Sequence, residues 1–351
     1  MKKNILVAPL NWGLGHATRC IPIIKALIEH DFNPILASDG KALELLRKEF
    51  PALQTLELPS YQIEYPKNGK DFKWQIFKNS PRMISAILEE KQLVKNYIVK
   101  YNLQGIISDN RFGVRSKKIP SVFITHQLKV LSGNTTWISS KLHQNIIAKF
   151  AECWIPDFKE KPNLSGKLGH IKNSKLNIKY IGPLSRLNKK ILPMRYDLMV
   201  LLSGPEPQRS ILEEKLILEL KKFKGLVIFI KGIVQDAQIV EQIGDTTFVN
   251  FMNSGELETT FNESKMVLCR SGYTTIMDLA KLNKKAFFIP TPGQYEQEYL
   301  AKKLKRSGLF PYANQDKFRI RNLLEIDMYR GIEIPENNIN WQKLFWIFTQ
   351  S

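Results

Sequence analysis

Short apolar runs alternate with amphipathic segments along most of the chain. The run at residues 4–9 has the length and composition of a buried strand, and residues 16–30 carry apolar side chains at helical spacing. The pattern predicts further strands at 34–37, 53–58, 105–108, 121–125, 197–202, 226–230, 265–269 and 285–289. It predicts helices at 41–49, 81–101, 208–222, 274–282 and 296–307, and an apolar terminal helix at 340–350.

The alternation of strand and helix occurs twice, with a turn-rich basic stretch at 159–190 between the two series. Such an order predicts an α/β protein whose parallel sheets are covered by helices. We therefore expect an N-terminal Rossmann-like domain at 1–185 and a C-terminal Rossmann-like domain at 186–330. Residues 331–351 would form a C-terminal helix, for which packing back on the N-terminal domain is one option.

Charge adds a constraint on partners. The chain has 351 residues, and 52 Lys and Arg against 33 Asp and Glu give a net charge of +19. Such a surplus attracts phosphates, anionic lipid or nucleic acid. No nucleic-acid partner is expected, because no DNA- or RNA-binding signature is present. Basic and aromatic residues interleave at 61–82, which suits an acceptor or an anionic leaflet, and equally a solvated face.

Cysteine spacing and hydropathy bear on the compartment. Three widely separated cysteines give neither a disulfide framework nor the spacing of a zinc site. No apolar run approaches the ~20 residues of a membrane span. We expect a cytoplasmic protein, with peripheral attachment to the inner face of the cell membrane as an option.

The turn at 11–19 joins the first strand to the first helix. Gly13 and Gly15 allow a sharp turn and close approach of a ligand, and a helix start offers N–H groups to anions. A dinucleotide fingerprint needs a third glycine, but Thr18 occupies that position, which argues against a dinucleotide oxidoreductase. His16 is a candidate general base, or else a residue that caps and packs at the helix start.

Polar residues also stand at the ends of two predicted strands of the first half. Asp109 lies where it could orient His16. The neighbouring candidates, which we assign to the acceptor side, are Arg19, Asn110, Arg111 and His126. Each residue alone also has a structural interpretation, as a packed or capping side chain.

In the second half, a strand-to-helix turn follows the strand at 265–269. Gly272 permits close approach, the hydroxyls of Thr274 and Thr275 stand at a positive helix end, and Arg270 supplies a charged fork. Together they suit a diphosphate, although a capped helix with a surface arginine would look the same. Weaker candidates at neighbouring strand ends are the turn at 203–206 and the loop at 290–298.

Taken together, these segments resemble the GT-B nucleotide-sugar glycosyltransferases of families 28 and 1. They are nearest to the bacterial group that adds N-acetylglucosamine to lipid-linked muramyl peptide. The likeness runs from GLGH at 13–16 to the EQEYLA stretch ending at Ala301. Its most specific part, at 269–301, is similar to the family's donor-binding motif. The resemblance implies a GT-B fold, in which two Rossmann-like domains with parallel sheets face each other across a cleft.

The same resemblance implies where a nucleotide sugar, in the first instance a UDP-sugar, would bind. Asp278 would hold the ribose, where relatives often have Glu, and the turn at 272–275 would hold the diphosphate. The residues implied for the donor are Gly13, Gly15, Ser203, Gly204, Phe251, Met252, Arg270, Ser271, Gly272, Tyr273, Thr274, Thr275, Asp278, Gln294, Gln297 and Glu298. His16 would be the catalytic base, with Asp109 as its partner.

The implied reaction is Leloir-type transfer of a hexose or N-acetylhexosamine to a hydroxyl of a glycan or lipid-linked acceptor of the cell envelope. In-line attack would invert the anomeric carbon. No DxD motif is present, so we expect neither a metal nor a cofactor, and helix N-termini would stabilise the leaving diphosphate. A nucleotide-sugar epimerase of the same fold, which needs no acceptor, and a non-catalytic sugar-nucleotide-binding protein remain alternatives.

Overall fold

The computed structural model describes residues 2–61, 72–172, 174–333 and 339–350, which divide into two compact units. Among the described residues, the first unit comprises 2–61, 76–172, 174–184 and 339–350, and the second comprises 72–75 and 185–333. Residues 62–71 of the basic and aromatic stretch noted at 61–82 lie outside the described residues.

The first unit is built on a seven-stranded sheet in which all neighbouring strands are parallel. Its strands are β1 (Lys3–Pro9), β2 (Phe32–Ser38), β3 (Thr55–Glu57), β4 (Leu103–Asp109), β5 (Ser121–Ile124), β6 (Glu152–Ile155) and β7 (Ile178–Tyr180). Their order in the sheet is β3-β2-β1-β4-β5-β6-β7. The helices are α1 (Gly15–Glu29), α2 (Gly40–Glu49), α3 (Phe72–Lys100) and α4 (Thr136–Ile147). Residues 5–8 in β1 are fully buried, as expected for a strand covered on both faces.

The second unit has a six-stranded sheet that is parallel except at one edge. Its strands are β8 (Tyr196–Leu201), β9 (Val227–Ile230), β10 (Val240–Ile243), β11 (Thr246–Val249), β12 (Ser264–Cys269) and β13 (Ala286–Phe288). Their order is β10-β11-β9-β8-β12-β13, and β10 runs antiparallel to β11. The helices are α5 (Gln208–Leu220), α6 (Ser254–Asn262), α7 (Tyr273–Leu282) and α8 (Tyr295–Arg306), followed by a 3-10 helix at Ile320–Met328.

Each sheet reverses its winding direction at one point. In the first sheet the chain runs from β1 out to β3 and returns on the other side of β1 as β4. In the second it leaves β8 toward β9 and returns beside β8 as β12. Loops that follow the strands at such a point diverge and leave a crevice at the carboxyl edge, where ligands of open α/β sheets bind. The segments after β1, β4, β8 and β12 are therefore the candidate sites.

The terminal segment packs within the first unit. α9 (Trp341–Phe345) is shorter than the predicted helix and passes into a 3-10 turn. The ring of Phe345 lies 6.4 Å from that of Trp154. A Cβ at Gly105 would lie 2.4 Å from the ring of Phe348, so the sheet accepts this aromatic side chain because glycine stands there.

Each predicted strand and helix is present with its ends shifted, but several further elements were not predicted. α3 begins at Phe72 rather than at residue 81, and Pro81 lies inside the helix. The sequence analysis missed β6, β7, α4, α6 and the β10–β11 hairpin. β6 was not predicted because its four residues begin with the charged Glu152. The buried Glu152 carboxylate is paired with Lys179 and accepts a hydrogen bond from Trp154 Nε1.

Candidate functional site

The carboxyl edge of the first sheet brings two of the candidate residues together. Asp109 is the last residue of β4 and stands opposite Pro9 of β1 in the register. After β1 the chain turns through Gly13, whose φ of +75° favours glycine, and α1 begins at Gly15. This short turn places His16, in the first turn of α1, beside the end of β4.

Three side chains meet at this edge through hydrogen bonds. His16 Nδ1 lies 2.8 Å from Asp109 Oδ1. Arg19 donates from Nε to Asp109 Oδ2 at 2.5 Å and from Nη2 to Asp109 Oδ1. Asp109 is fully buried and Arg19 nearly so, whereas His16 keeps 15% of its side chain exposed. The imidazole is thus the member of this trio that reaches the surface.

The charges of the trio decide its protonation. Burial alone would raise the pKa of Asp109, but Arg19 and His16 outweigh it and hold that pKa well below its usual range. His16 Nδ1 lies 2.8 Å from Asp109 Oδ1, which only accepts hydrogen bonds, and 2.8 Å from Arg19 Nη2, which only donates. The tautomer that donates from Nδ1 to Asp109 leaves a lone pair on Nε2, and this is the form that a base at Nε2 requires. Burial has the largest single effect on His16 and lowers its pKa; Asp109 raises it and Arg19 lowers it, and the pKa lies below its usual value. A neutral, oriented imidazole of this kind can act as a general base.

Two more candidates of the acceptor side border the trio. Arg19 Nη1 lies 3.0 Å from His126 Nδ1, and Asn110 donates to Asp109 Oδ1 at 3.1 Å. Asn110 has a left-handed backbone, with a φ of +59°, which turns the chain sharply where β4 ends. The structure therefore brings His16, Arg19, Asp109, Asn110 and His126 to one place.

Arg111 turns away from these residues into the interior. Its fully buried side chain pairs with Asp39 and, at 2.8 Å, with Glu90, and it donates to the Pro9 carbonyl at 3.0 Å. The acceptor contact predicted for Arg111 does not fit this placement. Because Asp39 also accepts from Asn11 Nδ2 at 3.1 Å, Arg111 instead ties the loop after β1 to the loop after β4.

The corresponding edge of the second sheet carries the predicted diphosphate turn. α7 begins at Tyr273 after Gly272, which has no side chain with which to cap the helix. Gly272, Thr274 and Thr275 are half-buried, so the positive end of α7 is open to the surface.

Gly204 follows β8 across the same reversal point. Its φ is +101°, a conformation that side-chain-bearing residues rarely adopt, and both Gly204 and Ser203 are exposed. A Cβ at Gly204 would lie 3.7 Å from Thr291 Oγ1. Thr291 is 1% exposed, and its buried hydroxyl has no hydrogen-bond partner within the described part of the chain. A buried hydroxyl in this state carries a desolvation cost that a polar ligand atom would offset.

Arg270 holds the protein's own loops together. It is 1% exposed, its Nη1 lies 3.2 Å from the carbonyl oxygens of Ile289 and Pro290, and its Nη2 donates to the Gln208 carbonyl at 2.8 Å. Burial lowers the pKa of this guanidinium to about 9. The guanidinium group that we predicted to bind a phosphate therefore points into the protein, where it joins the end of β13 to the start of α5.

Ser271, Gln297 and Glu298 fix the loop that follows β13. Ser271 Oγ donates to the Gln297 carbonyl at 2.8 Å. The Thr291 N–H donates to Gln297 Oε1 at 2.9 Å, and the Gly293 N–H donates to Glu298 Oε1 at 3.1 Å. The two side chains predicted to meet sugar hydroxyls thus already each accept one backbone hydrogen bond, and they hold the loop at the sheet edge.

Asp278 lies in α7, beyond the first turn of the helix. It is 8% exposed, and its Oδ1 accepts a hydrogen bond from Ser185 Oγ at 2.6 Å. Burial raises the pKa of Asp278 to about 6, although Ser185 and Arg186 oppose the rise. The carboxylate already receives one hydroxyl, which is the kind of contact that a ribose would make.

The remaining donor candidates occupy neighbouring loops of the same edge. Phe251 and Met252 follow β11 and are half-buried. The Phe251 carbonyl accepts from Gln238 Nε2 at 2.9 Å, and Met252 Sδ accepts from Thr260 Oγ1 at 3.4 Å. Gln294 is the residue before α8.

The sequence analysis missed a second histidine-centred contact near His126. His143, in α4, is buried with its ring 5.6 Å from that of Phe112 and 5.8 Å from that of Phe123. Burial lowers the pKa of His143 to about 4, and the ring hydrogen-bonds the backbone of Gln127. No sequence signal predicts the hydrogen bond of His143, because its partner is the backbone of Gln127 on another segment.

Two further features of the structure concern metal binding and membranes. Over residues 2–61, 72–172, 174–333 and 339–350, no three His, Cys, Asp or Glu side chains are grouped so as to hold a metal ion. No described helix combines the length and the apolar character that crossing a bilayer requires. All three cysteines are buried and unpaired with one another.

Comparison with known proteins gives a consistent result. Residues 208–326 match the glycosyltransferase family 28 C-terminal domain. A Haemophilus ducreyi UDP-N-acetylglucosamine–N-acetylmuramyl-(pentapeptide) pyrophosphoryl-undecaprenol N-acetylglucosamine transferase is 23% identical over 70% of this chain and 68% of its own. The enzyme of the same name from Glaesserella parasuis is 22% identical over 93% of this chain and 89% of its own. The crystal structure of Acinetobacter baumannii MurG aligns over 100% of both chains with a TM-score of 0.57 and 12% identity, which shows a shared fold.

Proposed function

Since this chain is a glycosyltransferase of the GT-B fold that resembles family 28, we propose that it transfers a sugar from a UDP-sugar to a hydroxyl of a lipid-linked glycan acceptor. The observation that carries the proposal is the pair of His16 and Asp109, a neutral imidazole oriented by a buried carboxylate at a ligand-binding sheet edge. The curated relatives are named for transfer of N-acetylglucosamine to a pyrophosphoryl-undecaprenol acceptor. We propose the same classes of donor and acceptor here.

The second unit would bind the donor. The proposed diphosphate site is the open helix start at Gly272–Thr275 together with the exposed turn at Ser203 and Gly204. Asp278 would accept a ribose hydroxyl, and the loop after β11, at Phe251 and Met252, would meet the base. The sugar would contact the loop that carries Gln294, Gln297 and Glu298, with the Thr291 hydroxyl beside it.

The first unit would activate the acceptor. His16 Nε2 removes the proton of the acceptor hydroxyl as its oxygen attacks the anomeric carbon. The new glycosidic bond forms while the bond from that carbon to the β-phosphate oxygen breaks, and UDP leaves with the negative charge. Attack opposite the leaving group inverts the anomeric carbon, Asp109 stabilises the imidazolium, and the positive end of α7 stabilises the departing phosphate. The scheme uses no metal ion or cofactor.

A lipid-linked acceptor would require the enzyme to work at a membrane surface, and α4 offers a suitable face. Trp137 is 72% exposed and Leu142 is 60% exposed, with Ile138 between them also exposed. Lys141 lies on the same side, 5.5 Å above the Trp137 ring. Apolar side chains flanked by lysine suit the interface of an anionic leaflet, so we propose that α4 rests on the cytoplasmic surface of the cell membrane.

A thermal-shift screen against nucleotide sugars tests the donor first, since a ligand that binds the folded state raises the unfolding temperature. Incubation with the best donor and a lipid-linked muramyl peptide then tests transfer. We expect UDP release that depends on acceptor, and a product with inverted anomeric configuration by NMR. A sugar that epimerises without acceptor would favour an epimerase, and no shift with any UDP-sugar would contradict the proposal.

A further inference from the structure

An open groove of about 440 Å³ lies at the amino edge of the first sheet. Its walls are the segment before β5, residues 116–121, and the segment before β6, residues 148–151. The candidate catalytic residues stand at the opposite, carboxyl edge of the same strands. The four residues of β5 separate the two edges by roughly 13 Å. The groove is therefore distinct from the site described above.

Three lysines line this groove, and two further cations, Arg115 and Lys91, lie beside it. Lys117, Lys118 and Lys149 are exposed on its walls. Burial, the Arg115 charge and the Lys149 charge together lower the pKa of Lys91, which places these three residues near one another. Throughout the described residues, no carboxylate lies within 4.0 Å of any of the five as an ion-pair partner. Like charges held together in this way repel unless an anion lies between them.

The walls of the groove are held in place before any ligand arrives. Ser121 Oγ accepts from the Ser116 N–H at 3.0 Å, and Ser116 Oγ accepts from the Lys118 N–H at 3.0 Å. The Ala151 N–H donates to the Ser121 carbonyl at 2.9 Å, which links the two walls. A preformed site loses little conformational entropy on binding.

Close packing brings α3 into the same site. A Cβ at Gly113 would lie 2.4 Å from the Ile87 carbonyl oxygen, so the chain before the groove lies directly against α3. Arg115 follows Gly113 by two residues, and its charge lowers the pKa of Lys91 on α3. The Arg115 Nε atom is buried and lacks a hydrogen-bond partner among the described residues. A buried guanidinium N–H in that state is a donor that an anion oxygen would satisfy.

We propose that the groove formed by 116–121 and 148–151, with Lys91 and Arg115 behind it, is a second anion site that binds a phosphate-rich group of the pyrophosphate class. Lysine ammonium groups bind phosphate oxygens as point charges, and an arginine N–H supplies a directed donor. The group can come from a soluble pyrophosphate compound or from an anionic lipid headgroup. The site does not depend on the proposed transferase reaction, because it lies on the other edge of the sheet.

Residue-resolved lysine acetylation tests the proposal. The protein is labelled with a limiting acetylating reagent, with and without inorganic pyrophosphate, and each lysine is followed by mass spectrometry. We expect labelling of Lys117, Lys118 and Lys149 to slow at least threefold, while the exposed Lys221 and Lys222 of the second unit are unaffected. Equal protection of the groove lysines and of Lys221 and Lys222 would overturn the proposal. So would the absence of protection by both pyrophosphate and phosphatidylglycerol vesicles.

A charge-matched pair of variants provides a second measurement. K117Q/K118Q/K149Q should weaken pyrophosphate binding at this site at least tenfold, and K221Q/K222Q/K224Q, which removes the same charge elsewhere, should not. Two equally weakened variants would mean a non-specific charge effect and would overturn the site. If pyrophosphate protects the groove lysines but the protein transfers no sugar, the anion site is supported. Only the proposed transferase function is then contradicted.

Vesicles distinguish the source of the phosphate. Phosphatidylglycerol vesicles that protect the groove lysines, where phosphatidylcholine vesicles do not, would assign the site to a lipid headgroup. Protection by pyrophosphate without protection by either vesicle would assign it to a soluble compound.

Discussion

His16 and Asp109 lie 93 residues apart in sequence and 2.8 Å apart in the structure. The carboxylate has two opposite effects on the ring: it orients Nδ1, and it raises the pKa of His16 against the lowering effect of burial. The orientation comes from the hydrogen bond, and the higher pKa comes mainly from the carboxylate charge. One substitution of Asp109 removes both, and a pH profile shows the first in the rate and the second in the position of the acidic limb.

Asp109→Asn should therefore lower kcat by roughly 10²-fold while it moves the acidic limb of the kcat–pH profile to lower pH. The rate falls because the ring loses its orientation and the imidazolium loses its counter-charge. The limb moves down because the carboxylate no longer raises the pKa of His16. In the wild type this limb should already lie below pH 6.5, since the pKa of His16 is lowered. A limb that moves upward in the variant would contradict this electrostatic account.

Asp278 illustrates a conflict between stability and binding at a single residue. Its folded-state pKa of about 6 exceeds the unfolded value near 3.8, so the native state binds the proton more tightly. The native state therefore holds more protons between about pH 4 and pH 6, and the free energy of unfolding falls as pH rises through that window. Above it, ionised Asp278 leaves the fold less stable by up to about 3 kcal/mol.

Asp278→Asn should consequently raise the free energy of unfolding at pH 8 by about 2–3 kcal/mol, with little change at pH 4. Urea unfolding at the two pH values measures this difference. The same variant should bind UDP-sugar more weakly, because the amide replaces the carboxylate proposed for the ribose. Ser185→Ala is the matched control: it removes a hydrogen bond that lowers the pKa, so it should reduce stability at pH 8. No gain for Asp278→Asn at pH 8 would contradict the burial effect.

At the scale of elements, the strand-to-helix turns depend on buried arginines. Arg111 in the first unit and Arg270 in the second both donate to backbone carbonyls at strand ends. The sequence pointed to these arginines as ligand contacts, because an arginine after a strand looks the same whether it faces a phosphate or its own loops. Backbone acceptors leave no trace in the sequence, so only the structure could distinguish the two.

Arg270→Ala should lower the free energy of unfolding by about 3 kcal/mol or more, because three buried carbonyl oxygens lose their donor. Denaturant unfolding measures this loss. Arg306→Ala, at an exposed position in the last turn of α8, should change stability by less than about 0.5 kcal/mol. If Arg270→Ala proved as stable as the wild type and lost only UDP-sugar affinity, Arg270 would be a phosphate ligand after all.

The exposed face of α4 leads to a prediction about membrane binding. Replacing Trp137 and Leu142 by Ser should reduce co-sedimentation with phosphatidylglycerol vesicles at least fivefold, because the apolar contact with the leaflet is lost. The control is Ile211→Ser with Leu218→Ser on α5, which removes exposed apolar side chains from the second unit. Equal binding by both double variants and the wild type would exclude α4 as the membrane face.

At the scale of the whole molecule, the sequence predicted the α/β class and most of the central strands. Those strands are buried on both faces and read as unbroken apolar runs, as in β1 and β12. The short strands β6, β7 and β10 were not predictable. Each has four or fewer residues, some of them charged or exposed, so no alternation of apolar and polar positions is visible. The resemblance to GT-B glycosyltransferases is confirmed by the comparisons.

The site was predictable to the extent that it follows from strand order. The sequence singled out residues after β1 and β4, and after β8 and β12, because the ends of buried apolar strands are visible in the sequence. The side chains that hold these turns, such as Ser185 and Asn11, were not, because their contacts span distant segments. The carboxyl edge of the first sheet carries the His16 imidazole, and the carboxyl edge of the second sheet carries the open start of α7.

Acceptor-dependent UDP release by His16→Ala is the most direct measurement of the proposed chemistry. His30→Ala, at the opposite end of the same helix, serves as the control. We predict that kcat falls by roughly 10²–10⁴-fold in His16→Ala, with UDP-sugar affinity unchanged, and that His30→Ala retains the wild-type rate. A His16→Ala enzyme that releases UDP at the wild-type rate would show that this imidazole is not the base.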